Sequence, residues 1–153
     1  MTKMGSSTLL LSLGDRESRV RLTEEDGVSR EFVLALGLDA MTPGPFRRDP
    51  PTPLELEQAI MVVEDVLMPL AAHVPPHPLV ELHSPVPLAE GLGSHELSRE
   101  SIERLFGQLV AMVEGDPLAS AQLPRDRRFA AALLILREWM HHLDAGSVAL
   151  VDQ

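Results

Sequence analysis

The chain has 153 residues, enough for one domain with a core of its own. Hydrophobic residues make up 44% and charged residues 24%, which excludes a disordered chain, and aromatics are only 3%, so the core must be aliphatic. A net charge of −10 disfavours nucleic acid and anionic membrane surfaces as partners, and the lack of cysteine excludes disulfides, thiol catalysis and thiolate metal sites.

The apolar run near the N-terminus is shorter than a secretory core and is read as a first strand, in which Leu9, Leu11 and Leu13 alternate. Gly14-Asp15-Arg16-Glu17 supplies a turn. Val20 and Leu22 then alternate with Arg19 and Arg21, the pattern of a strand with one wet face. Glu25-Asp26-Gly27 turns again into a third strand carrying Phe32, Leu34 and Leu36 on one side and Val33 and Ala35 on the other. The proline-rich segment 42–51 breaks the chain without dividing it into domains.

Thr52, Pro53 and Glu55 form a helix start signal: a cap, a proline in the first turn and the acid of a capping box. The stripe from Leu56 to Leu70 follows at helical spacing, and Pro69 is expected to kink or end the helix. A short strand is expected at 79–84. Ser98 caps a second helix with Leu97 and Ile102 as a hydrophobic staple, and a third runs from about Arg125 to Leu143. Segment 147–151 is left as a last strand or a frayed tail.

The expected fold class is α+β in a single domain, 1–153, in the order β-β-β-α-β-α-α-(β). The sheet is expected to be antiparallel, three- to five-stranded, beginning as a meander, with about three helices mainly on one face.

Half of the six histidines fall between His73 and His83. A proline-rich backbone rises about 3.1 Å per residue, so His73 and His77 stand roughly 12 Å apart, too far for easy sharing of one ion. Glu138 and His141 have the Glu-x-x-His spacing of di-iron bundles, but the partner motifs are missing. Arg47-Arg48 and the group Arg125, Arg127 and Arg128 read as solvated surface charge. The first hairpin, LSLGDRESRVRL, resembles the phosphate-binding hairpin of the actin-like ATPase fold. That resemblance implies nucleotide or phosphate binding with Asp15 as the residue to test, but no acid stands at the strand end before Gly14.

None of these arrangements forms a catalytic constellation, a metal site or a cofactor site. What remains is an open sheet face bearing Arg19, Arg21, Glu31, Glu81 and His83. The sequence therefore reads as an acidic cytoplasmic protein-binding module without catalysis, expected as a homodimer that meets a protein partner or itself. The alternatives are a metal-dependent hydrolase using His73, His77, His83 or His95, and nucleotide or phosphate binding at the Gly14-Asp15 hairpin.

Overall fold

A computed structural model describes residues 7–39, 46–75, 77–86, 96–121 and 123–151. Three strands come first: β1 (Thr8–Ser12), β2 (Ser18–Thr23) and β3 (Ser29–Leu34). Helix α1 (Pro53–Ala71) leads to β4 (Leu79–His83) and β5 (Glu96–Ser98). Helices α2 (Arg99–Val113), α3 (Pro117–Ser120) and α4 (Arg127–Leu143) precede β6 (Ser147–Leu150). The six strands form one sheet in the order β3-β2-β1-β4-β6-β5.

The N-terminal meander is as the alternation implies, with Leu11 opposite Val20 and Val20 opposite Phe32. The expectation of an antiparallel sheet fails at the centre, because β1 pairs with β4 in parallel and β4 pairs with β6 in parallel. Parallel neighbours need a long crossover, and α1 provides the first and α2 to α4 the second. Among the described residues the sheet is thus mixed, with one more strand than the expected range allows, and four helices replace three. β5 is a three-residue edge strand with too little sequence to show a period, and α3 is a single turn begun by Asp116 and Pro117.

Leu9, Leu11, Leu13, Val20, Leu22, Val80 and Leu82 point to one side of the sheet and are buried there. The helical layer covers that side, with α4 contacting both α1 and α2. Its middle position explains its composition: Ala130 to Leu136 are all buried, as is Trp139. A helix apolar all round is one surrounded by protein. The capping box of α1 is formed as read, with Glu55 N donating to Thr52 Oγ1 and Thr52 N donating to Glu55 Oε1. Pro69 removes one N–H donor from the last turn of α1, which ends two residues later at Ala71. No helix among the described residues is long and apolar enough to cross a membrane.

Candidate functional site

β1, β3, β4 and β6 end on the same edge of the sheet. In open sheets with parallel strands, ligands bind outside the carboxyl ends of those strands. At this edge the β1–β2 connection, Leu13 to Glu17, is tightly folded. A Cβ on Gly14 would lie 2.3 Å from the Glu17 carbonyl oxygen. A Cβ on Gly37 would lie 2.4 Å from the Asp15 carbonyl oxygen, so the segment after β3 is pressed against the turn. Leu38 N donates to the Gly14 carbonyl at 2.9 Å and Asp39 N to that of Asp15 at 2.8 Å. Buried Ser18 closes the arrangement from beneath, donating to the Leu36 carbonyl at 2.9 Å.

The first turn of α4 reaches the same place. Arg128 Nη2 lies 2.8 Å from Asp15 Oδ1, and Nη1 bonds Asp39 Oδ2. The hydrogen bond to Asp15 raises the guanidinium pKa, burial opposes this, and the charges of Asp39 and Asp15 add to the rise. The start of α4 is tied to the start of α1: Arg127 N donates to Asp49 Oδ1 at 2.7 Å, and Arg47 N to Glu55 Oε2 at 2.9 Å. Between them lies an open hollow of about 530 Å³ lined by Asp39, Phe46, Arg47, Arg127 and Arg128. Two basic clusters read as ordinary surface charge therefore converge at one spot. Helix N-termini add partial positive charge, and arginine is suited to phosphate oxygens.

The five residues named on the open face do share it. Ser12 stands opposite Arg19 on one side and His83 on the other, while Leu10 stands between Arg21 and Glu81. Arg19, Arg21 and Glu31 line a hollow of about 220 Å³ with Leu10, Ser12 and Val20. Arg21 and Glu31 neutralise each other at 3.0 Å. His83 Nε2 is buried with no hydrogen-bond partner, at the carboxyl end of β4.

The histidine set proposed for a metal does not assemble. His73 stacks on Phe32, exposed His77 lies 3.6 Å from Asp144, and His83 belongs to the open face. His95 lies outside the described residues. Helical geometry places Glu138 beside His142, one turn on, rather than beside His141, whose Nδ1 lies 3.3 Å from an Arg99 nitrogen.

The architecture is thus a mixed sheet with parallel strands at its centre, helices on one face and a glycine-bearing hairpin at the carboxyl edge. Solved structures that share this fold with the chain include enzymes described as Ppx/GppA phosphatases and exopolyphosphatases. The chain superimposes on the Ppx/GppA enzyme of Aquifex aeolicus with a TM-score of 0.70 at 13% identity, covering 97% of this chain and 54% of that one. An exopolyphosphatase from Cytophaga hutchinsonii matches with a TM-score of 0.64 at 16% identity, covering 96% and 53%. The chain therefore spans about half the length of the enzymes it matches. No protein-family model matches the sequence, and no curated protein matches it. The structural likeness overturns the expectation of a protein-binding module without catalysis and favours the hydrolase alternative. Aliphatic helices and an acidic surface are compatible with either function, which is why composition misled.

Proposed function

We propose that this chain is a phosphate-recognising half of a phosphatase that acts on phosphoanhydride substrates such as polyphosphate. The observation that carries the proposal is the convergence at the carboxyl edge of the Gly14-Asp15 hairpin, the N-terminal ends of α1 and α4, and Arg47, Arg127 and Arg128. Arg47 and Arg127 are available to bind phosphoryl oxygens, because no ion pair engages their guanidinium groups among the described residues. Arg128 pairs with Asp15 and Asp39 beside them. In hydrolysis, water attacks the terminal phosphorus and the bridging oxygen leaves with the shortened chain. Asp15 is the carboxylate assigned to accept the water proton, since Ser12 stands at the strand end where the hairpin resemblance would place an acid. The arginines stabilise charge that grows on the phosphoryl oxygens.

The test combines binding and turnover. Polyphosphate should raise the melting temperature of the wild-type chain, because a ligand held by the native state stabilises it. Arg47→Ala with Arg127→Ala should abolish that rise while leaving the ligand-free melting temperature nearly unchanged. Phosphate release should fall at least about a hundredfold in Asp15→Asn, the order expected for losing a general base. Absence of both a thermal shift and phosphate release at millimolar polyphosphate would refute the proposal.

A further inference from the structure

Three side chains in the helical layer are unused by the phosphate site. Glu64 lies on α1, and Glu138 and His142 lie one turn apart on α4. His142 Nε2 is 3.7 Å from Glu64 Oε2 and 3.5 Å from Glu138 Oε1. One ligand atom from each residue lies within 4.8 Å of the others.

Glu138 is wholly buried, and its Oε1 makes no hydrogen bond, nor does His142 Nε2. A buried carboxylate oxygen without a partner is costly and calls for an explanation. Its other oxygen is firmly held, because Arg137 Nη1 donates to Glu138 Oε2 at 2.6 Å. Arg137 is itself fixed by Glu103 on α2, with Nε 3.2 Å from Oε2, and lies over the Phe106 ring at 4.9 Å. The result is a carboxylate whose one free oxygen faces an imidazole nitrogen and a second carboxylate. Ligating carboxylates are commonly oriented in this way by a hydrogen bond to the other oxygen.

We propose that Glu64, Glu138 and His142 bind a divalent first-row transition cation that clamps α1 to α4. Bonds of about 2.1 Å at tetrahedral angles place two ligand atoms about 3.4 Å apart, close to the separations His142 already makes. One imidazole and two carboxylates suit zinc or manganese better than calcium or magnesium. The two carboxylates also match the charge of the ion. Glu64 and His142 are partly exposed, so the cluster lies close to the surface of the helical layer.

The experiment uses untagged, chelator-stripped protein titrated with zinc chloride by calorimetry, with the melting temperature read in parallel. The expected result is one zinc per chain and a higher melting temperature. His142→Ala and Glu64→Gln, both at partly exposed positions, should each weaken binding at least tenfold with unchanged circular dichroism. Glu138→Gln keeps the shape of the buried side chain and should weaken it too. Cobalt(II) should give a visible absorption band in wild type that is absent in His142→Ala. No zinc uptake by the stripped protein overturns the proposal. So does equal uptake by His142→Ala and Glu64→Gln, which would place the ion on other histidines.

Discussion

Gly37 is a glycine because of Asp15. Any side chain there would meet the Asp15 carbonyl oxygen at 2.4 Å, and that backbone is held in place by two hydrogen bonds from Leu38 and Asp39. Gly37→Ala should therefore destabilise the protein by about 1–3 kcal/mol, the range for forced overpacking, seen as a lower urea midpoint. It should also weaken polyphosphate binding, because the turn must move. A variant with unchanged midpoint would show that the turn and the β3 exit are not in contact. Arg128 is the other residue whose role is set by neighbours distant in sequence. Because it is one-third exposed, losing its pairs in Arg128→Ala should cost only about 1 kcal/mol, with the difference from wild type shrinking in high salt.

At the scale of elements, α1 carries the plainest local code. Thr52 and Glu55 are three residues apart, and each satisfies a backbone N–H that the helix start would leave unpaired. Burial alone would raise the Glu55 carboxyl, but hydrogen bonds from the backbone of Thr52 and Arg47, with help from the Thr52 hydroxyl and the Arg48 charge, hold it below its ordinary value. A carboxyl lowered on folding stabilises the native state above its unfolded pKa, near 4.3, and loses that contribution as pH falls through the folded value. Glu55→Gln should thus be less stable than wild type at neutral pH, with the gap closing as the solution is acidified below about pH 4. Thr52→Ala should cost about 1 kcal/mol. Comparing urea midpoints of both variants across pH checks this, and a gap that stays constant with pH would contradict the assignment to the Glu55 charge. α2 repeats part of the code, with Ser98 Oγ accepting from Ser101 N, and is likewise legible. α4 is legible as a helix from its caps and spacing. That it is enclosed by α1, α2 and the sheet does not follow from its stripe, but the unbroken apolar run from Phe129 to Leu136 carries that signal.

At the scale of the molecule, one buried cluster joins the sheet, through Leu9, Leu11, Leu22 and Leu82, to all three long helices. Such a chain should unfold as one unit. Fluorescence of Trp139, the one tryptophan in the chain, and far-ultraviolet circular dichroism should give coincident urea transitions. Separate transitions would show that the N-terminal hairpins and the helical layer are independently stable. The same scale explains the difference between the expected and the proposed function. The open face bearing Arg19, Arg21, Glu31, Glu81 and His83 was legible from strand periodicity, and those residues do share it. Arg47, Arg127 and Arg128 gave no such signal, because their distance along the chain conceals that two helix starts meet at one edge.

The sequence by itself determined the four buried leucine and valine positions of β1 and β2 that face one side, the capped starts of α1 and α2, and the Gly14-Asp15 turn. Each depends on residues close together in the chain, where period and cap chemistry speak directly. Only the tertiary structure decided that β1 lies beside β4, that Gly37 closes on Asp15, that the arginines converge, and that Glu64 meets Glu138 and His142. These depend on pairings across long crossovers, and the interaction that fixes each one leaves no regular spacing in the sequence to read.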